Sequence, residues 1–220
     1  MPSPGSKLTP RLVALAGSAI IAAAPAFAHH PMGGATPATF ADGLLSGVGH
    51  PVIGLDHLAA LIGVGLLAAR FGGWGVFALP WAWLAAMGVG VGAHLAGVEL
   101  PFTEVCVALG VIAVGLAAAL RPTLSLGLAG LLFALVGFAH GYALGEAVAG
   151  AEATPVVAYL IGLVAIQATI ATGVAVLTRR LWALGSEQTP PAAPPALRFA
   201  GLALAVAGAA ALTVGLPSLA

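Results

Sequence analysis

Six apolar stretches, each close to the length of a membrane-crossing helix, limit what this chain can fold into. A helix needs about 20 apolar residues to cross the ~30 Å hydrocarbon core of a bilayer. Because backbone groups in lipid must be satisfied within the protein, the stretches predict helices rather than strands. We therefore predict an all-α membrane protein, a six-helix transmembrane bundle. The predicted spans are about 51–70, 74–96, 102–120, 124–145, 155–178 and 197–216.

Charge is scarce, since 6% of the 220 residues are charged against roughly 25% in soluble domains. Seven basic and seven acidic residues cancel, which excludes the basic footprint of a nucleic-acid-binding protein. A single cysteine, Cys106, excludes a disulfide framework and cysteine-pair metal sites. With three methionines, soft sulfur ligands for copper are also scarce. Metal chemistry would have to use the six histidines and seven carboxylates.

Residues 1–28 have the pattern of a cleaved secretory signal peptide. Lys7 and Arg11 precede an apolar run at 12–24, and Ala26-Phe27-Ala28 forms a small-x-small cleavage site. Cleavage would leave residues 29–220 as the six-span domain. The alternative is a first transmembrane helix that is never removed, although the run is short for a span.

The arginines of the mature chain follow the first, third and fifth predicted spans. Cytoplasmic loops carry an excess of Lys and Arg, so we expect the arginine side to face the cytoplasm of a bacterial cell. Both termini then lie on the periplasmic side of the inner membrane. The arginine side carries Arg70, Arg121, Arg179, Arg180 and Arg198, with Glu187, and the opposite side carries Asp42, Glu99, Glu146 and Glu152.

Ionisable residues of the spans concentrate in the outer half of the predicted bundle. They are His50, Asp56, His57, His94, Glu104, His140 and Glu146. His50 precedes Pro51, which suits a first helical turn, so we expect His50 at the mouth of the first span. His57 would then lie about 10 Å deeper on nearly the same face. Ionisable groups at such depth are costly and mark a functional site by default.

Less specific interpretations stay open for single residues. A lone histidine such as His94 is as often a hydrogen-bonded packing residue as a ligand. Asp56 either ligates a metal or orients an imidazole. The solvated loop charges would be Glu99, Glu152 and Asp42. Polar residues Gln167, Thr169 and Thr172 of the fifth span either line a pathway or bond across helices.

Glycines recur at a spacing of four in two predicted spans. They are Gly137, Gly141 and Gly145 in the fourth span, and Gly88 and Gly92 in the second. Small residues at this spacing let transmembrane helices approach closely. We therefore expect both sets to lie at helix contacts.

The segment His-Pro-Val-Ile-Gly-Leu-Asp-His at 50–57 resembles the HupE/UreJ family. These are membrane accessory proteins of hydrogenase and urease gene clusters and are regarded as nickel permeases. Residues 99–104 (Glu-Leu-Pro-Phe-Thr-Glu) and 138–146 (Phe-Ala-His-Gly-Tyr-Ala-Leu-Gly-Glu) extend the similarity. The resemblance implies transport rather than catalysis, with no prosthetic group. It also implies that Ni(II) would be carried to supply hydrogenase or urease maturation, whereas Co(II) or Zn(II) would be carried because the same ligands bind them.

Three departures from the family pattern affect its expected ligands. Ala139 stands between Phe138 and His140, and Glu146 comes one residue early. One residue rotates a helical side chain by about 100°, so Glu146 can serve as a ligand only if the helix has ended at Gly145. In the first motif, Leu61 replaces a methionine that is often found after the Asp-His pair.

The resemblance and the residue pattern together predict that outer histidines and carboxylates capture a hydrated divalent cation. Imidazole and carboxylate also suit cobalt and zinc, so the preference for nickel rests on the resemblance. A membrane-embedded metal-dependent hydrolase is one alternative, and an assembly partner of the maturation proteins is another. His29 and His30 would form a metal-capturing arm at the new N-terminus, or would only be the polar residues after a cleavage site.

Overall fold

The computed structural model describes residues 35–120, 124–184 and 195–215, and within these ranges the chain is helical without a strand. The predicted signal peptide, His29, His30, Arg121 and Glu187 lie outside the described residues. The helices are α1 (Phe40–Ile53), α2 (Leu55–Ala68), α3 (Gly75–Leu95), α4 (Thr103–Leu120), α5 (Leu126–Gly145), a 3₁₀ helix (Glu146–Val148), α6 (Ala153–Leu184) and α7 (Pro195–Gly215).

Helices α3 to α7 are each long and apolar enough to cross a membrane. Helices α1 and α2 are shorter, and they meet at Gly54 with a bend of 76°. Taken together as one broken span, they supply a sixth crossing. The prediction of an all-α membrane bundle is therefore confirmed within the described ranges.

The first span was predicted wrongly, because its helix begins at Phe40 and not at Pro51. Thr39 caps α1 by accepting the backbone N–H of Asp42, and the Asp42 carboxylate accepts the backbone N–H of Thr39 in return. This capping box satisfies two otherwise unpaired donors and starts the helix. Asp42 is thus a capping residue rather than a loop charge, and Pro51 lies inside α1, near its end.

Glycines of α5 bring that helix close to α3. A Cβ atom added to Gly137 would lie 2.7 Å from the carbonyl oxygen of Trp83, and one added to Gly141 would overlap the carbonyl of Met87. Residue numbers increase in the same direction along both helices in these two contacts, so α3 and α5 run parallel. The predicted role of the α5 glycines in close packing is confirmed.

The same prediction is wrong for the glycines of α3. Cβ atoms added to Gly88 and Gly92 would meet no other atom within 4 Å. Gly90 makes the contact instead, facing the backbone carbonyl of Phe138. Successive residues are rotated by about 100°, so Gly90 lies on the face opposite to Gly88 and Gly92. Spacing alone does not reveal which face of a helix meets its neighbour.

Helix α1 packs in parallel along the first half of α6. Cβ atoms added to Gly43 and Gly47 would overlap the carbonyl oxygens of Pro155 and Tyr159, respectively. The start of α1 therefore lies beside the start of α6, and α1 runs into the bundle from that end. His50, in the last turn of α1, is consequently inside the protein and not at the mouth of the span.

The described arginines lie at the opposite end of the bundle from Glu99, Glu146 and Glu152. Arg179 donates to the carbonyl oxygens of Ala69 and Phe71, just before α3 begins. Glu99 lies just beyond the far end of α3, and the 21 residues of this helix span about 30 Å. We refer to the end with Glu99, Glu146 and Glu152 as the carboxylate end. That this end faces the periplasm stays a prediction.

Candidate metal centre

Three histidines from three helices meet in the interior. His50 of α1, His57 of α2 and His140 of α5 are 4%, 6% and 0% exposed, respectively. The ring centroids of His50 and His57 are 5.6 Å apart, and those of His57 and His140 are 5.1 Å apart. The Nδ1 atoms of His57 and His140 lie 2.9 Å from each other. We call these three residues the histidine cluster.

The break at Gly54 makes this cluster possible. On a straight helix, residues seven positions apart are separated by about 10 Å along the axis, which is the separation predicted for His50 and His57. Gly54 instead has an extended backbone (φ −70°, ψ 101°), so α1 ends and α2 begins in a new direction. A Cβ atom at Gly54 would lie 2.8 Å from Cδ2 of His57. The absence of a side chain there lets the His57 ring fold back against the break.

Asp56 stabilises the first turn of α2, from which His57 projects into the histidine cluster. Its Oδ1 accepts the backbone N–H of His57 at 2.8 Å, in the first turn of the helix. Backbone N–H groups in a first turn lack partners within the helix, and the helix dipole favours a negative charge there. Asp56 therefore holds the backbone from which His57 projects.

Trp83 lies against His140 of the histidine cluster, on the side away from the carboxylate end, and bonds to Gln167. The ring of Trp83 is 5.1 Å from that of His140, and its Nε1 donates to Oε1 of Gln167 at 2.8 Å. Among the described residues, Nε2 of Gln167 and Nε2 of His140 are buried without a hydrogen-bond partner. Gln167 therefore makes a hydrogen bond across helices, which is one of the two roles predicted for it. Thr169 is exposed and bonds to Ala165 of its own helix.

A second group of predicted residues lines a cavity of about 500 Å³ at the carboxylate end. His94, at the end of α3, and Glu104, in the first turn of α4, face this cavity together with Glu146. The ring of His94 is 4.8 Å from that of Tyr142, and its buried Nδ1 has no hydrogen-bond partner within the described ranges. We call this cavity the vestibule.

Tyr142 holds the loop that closes one side of the vestibule. Its hydroxyl donates to the carbonyl oxygen of Val98 at 2.7 Å and accepts the backbone N–H of Leu100 at 3.1 Å. In the same loop, Phe102 has a positive φ of 59°, a conformation that costs a residue with a side chain about 1–3 kcal/mol. The loop that presents Glu104 is thus fixed by specific bonds.

Glu146 borders the vestibule although the helical backbone continues through it. The α-helix stops at Gly145 and Glu146 begins the 3₁₀ helix, but both residues keep right-handed helical backbone angles (φ −64°, ψ −27° and φ −59°, ψ −35°). The rotation that follows from the sequence departure is therefore present. Glu146 nevertheless lines the same cavity as His94 and Glu104.

The structure thus divides the predicted residues into two groups. His50, His57 and His140, with Asp56, are in the interior, whereas His94, Glu104 and Glu146 are in the vestibule. In neither group do three or more His, Cys, Asp or Glu side chains of the described ranges already form a metal-binding set. The sequence pattern does not distinguish Trp83, Tyr142 and Tyr159 from ordinary core residues, because aromatic residues are also expected in the core of an apolar span.

Comparison with known proteins identifies relatives of this chain. The sequence model of the family described as HupE / UreJ protein matches residues 17–211. The chain is 32% identical over 208 residues to Protein HupE of Rhizobium leguminosarum bv. viciae, which covers 94% of this chain and 97% of that protein. No solved structure matches the chain.

Proposed function

The chain belongs to the HupE / UreJ family, and from that premise we propose that it transports nickel across the bacterial inner membrane to supply hydrogenase or urease maturation. The observation that carries this proposal is the 2.9 Å contact between Nδ1 of His57 and Nδ1 of His140. Two buried ring nitrogens that face each other are a ready pair of ligands for a divalent transition metal.

The distance between these nitrogens is that of an ordinary hydrogen bond and does not by itself select a metal. Nitrogens bound about 2.0–2.1 Å from a metal lie about 2.9 Å apart at a 90° angle and about 3.4 Å apart at a tetrahedral angle, so a small movement of the rings accommodates either geometry. The preference for nickel comes from the family. In the metal-free chain the same contact is a hydrogen bond, in which one Nδ1 carries the hydrogen. Nickel would displace that hydrogen to Nε2 of the same ring.

The vestibule supplies the capture step. A metal ion with six waters occupies roughly 200 Å³, at about 30 Å³ for each water, and the vestibule has a volume of about 500 Å³. The carboxylates of Glu104 and Glu146 attract the cation, and His94 is positioned to replace one of its waters. His140 lies six residues before Glu146 in the chain, about 9 Å away along a helix, so the ion would pass from the vestibule to the histidine cluster.

Partial coordination suits an ion in transit. The facing pair offers two nitrogens, with His50 beside it, and waters would complete the shell. Conduction requires binding that is favourable enough for entry and weak enough for release. Cobalt and zinc would use the same ligands. The affinities of a nitrogen and oxygen site for divalent first-row metals follow the Irving–Williams order, and the site alone does not select one of them.

The family argues against the hydrolase alternative, because HupE / UreJ proteins are accessory and transport proteins and not enzymes. Cell-free hydrolase activity without metal flux would reverse this preference.

The test is nickel entry into liposomes that contain the purified full-length chain and an entrapped nickel-sensitive dye. We expect influx above that of empty liposomes, with competition by cobalt and zinc. The Thr169→Val variant is the matched control, because its hydroxyl bonds only within α6 on an exposed face. No influx with the wild-type chain, at any nickel concentration or pH gradient, would refute the proposal.

A further inference from the structure

Tyr159 occupies a junction between three helices of the bundle. It lies in α6, its side chain is completely buried, and its hydroxyl is near both the end of α5 and His50 of α1. A Cβ atom at Gly47 would overlap the carbonyl of Tyr159. This close packing of α1 against α6 brings His50 within reach of the hydroxyl.

The tyrosine hydroxyl makes two contacts of different kinds. It donates to the carbonyl oxygen of Leu144 at 2.6 Å, and it lies 3.3 Å from Nδ1 of His50. Leu144 is in the last turn of α5, where carbonyl groups lack the usual partner within the helix. Such a carbonyl needs a donor, and the short distance shows that the tyrosine supplies it.

The single hydrogen of the hydroxyl settles the direction of the second contact. A phenol has one hydrogen to donate, and the Leu144 carbonyl, which can only accept, takes it. Toward His50 the hydroxyl can therefore only accept, so Nδ1 of His50 must carry the hydrogen of that bond. In a neutral imidazole with hydrogen on Nδ1, the lone pair is on Nε2.

We infer that Tyr159 is a positioning residue that holds His50 in the Nδ1–H tautomer and so makes Nε2 its metal-ligating nitrogen. This inference rests on the proposed function, since it specifies how one residue of the histidine cluster is prepared for nickel. Ligating histidines commonly donate their other ring N–H to an oxygen that fixes the tautomer and the ring orientation. Here the oxygen belongs to a buried tyrosine that a helix-end carbonyl orients in turn.

The tautomer is measured directly, without metal or transport. Full-length protein labelled with ¹⁵N-histidine is placed in lipid nanodiscs, and the ring nitrogen signals of His50 are assigned by their loss in the His50→Gln variant. We expect the metal-free wild type to show hydrogen on Nδ1 of His50. In the Tyr159→Phe variant, which keeps the ring and removes the hydroxyl, we expect a shift to hydrogen on Nε2 or to a mixture.

Nickel affinity is the second measurement. Titration of nickel chloride into the same nanodiscs should show weaker binding by Tyr159→Phe, about 10–100-fold as for other residues that orient metal ligands. The Thr169→Val variant, which loses a hydroxyl of the same helix on an exposed face, should match the wild type in both measurements. A merely structural role of the hydroxyl would not change the tautomer.

The outcomes separate this inference from the proposed function. A wild-type spectrum with hydrogen on Nε2 of His50 overturns the inference even if the variant fails to fold. An unchanged tautomer and an unchanged nickel affinity in Tyr159→Phe also overturn it, while transport by the wild type would stand. If the wild type neither binds nor carries nickel, the proposed function fails, and the tautomer comparison still decides what Tyr159 does to His50.

Discussion

Nδ1 of His57 and Nδ1 of His140 face each other at 2.9 Å in the core of the bundle, although the two residues are 83 positions apart in the sequence. If nickel binds between them, the His57→Ala and His140→Ala variants should each abolish nickel uptake. The double variant should be no worse than either single one, because residues that act as one unit are not additive.

Asp56→Ala should also abolish uptake, since it removes the acceptor of the His57 backbone N–H. Uptake by cells that express each variant at matched membrane abundance is the measurement. Wild-type uptake in any of the three single variants would contradict the role assigned to that residue.

The break at Gly54 gives a steric prediction. Gly54→Ala should reduce nickel uptake severely, because the added Cβ would lie 2.8 Å from Cδ2 of the His57 ring. The backbone itself tolerates alanine, since φ is −70°. The control is Gly88→Ala in α3, where a Cβ meets nothing within 4 Å, and it should retain full uptake. Equal activity of the two variants would show that the cluster does not depend on a bare glycine at the break.

Hydropathy alone was sufficient to locate the bundle, because lipid requires about 20 apolar residues for each crossing. It failed at α1, where Gly43, Ser46 and Gly47 are buried against other helices. Small and polar residues at a helix contact lower the hydropathy of a segment that nevertheless lies inside the protein. The capping box of Thr39 and Asp42 was the local signal for the true start of the helix.

The site was predictable in position but not in detail. The sequence indicates which ionisable residues lie near one end of the bundle, since helix direction alternates from span to span. That His50, His57 and His140 touch, whereas His94 lines a separate cavity, depends on the bend at Gly54 and on the packing of α1 against α6. Such long-range contacts leave no local pattern.

The vestibule carboxylates should matter most when nickel is scarce. Glu104→Gln and Glu146→Gln each remove one negative charge from the cavity, so each should raise the nickel concentration needed for half-maximal uptake. The maximal rate should fall less, because the histidine cluster is intact. Glu152→Gln, an exposed residue outside the vestibule, is the matched control. A similar change in all three variants would show that only the overall surface charge matters.

Orientation is testable with single cysteines in a Cys106→Ser background, which removes the natural thiol. A cysteine at Glu152, at the carboxylate end, should react with a membrane-impermeant maleimide in intact cells. A cysteine at Arg121 should react only after the inner membrane is opened, because basic residues concentrate on the cytoplasmic side. The reverse pattern would overturn the predicted orientation and place the vestibule on the cytoplasmic side.

His29 and His30 are predicted to act as a capture arm and not as part of the transport site. Cleavage after Ala28 would place a free amine beside two imidazoles, followed by Gly33 and Gly34. Three nitrogen donors suit nickel or copper, and N-terminal sequencing of the membrane-purified chain should show His29 as the first residue. An arm near the vestibule would raise the local metal concentration, which matters only when free metal is scarce.

The His29→Ala, His30→Ala double variant should therefore lose uptake at low nickel and retain it at high nickel. Uptake measured across nickel concentrations distinguishes the three possible roles of these histidines, because each role changes a different part of the plot of uptake rate against nickel concentration. Equal loss at every concentration would place these histidines in the transport site. No loss at any concentration would mean that they are only the polar residues that follow the cleavage site.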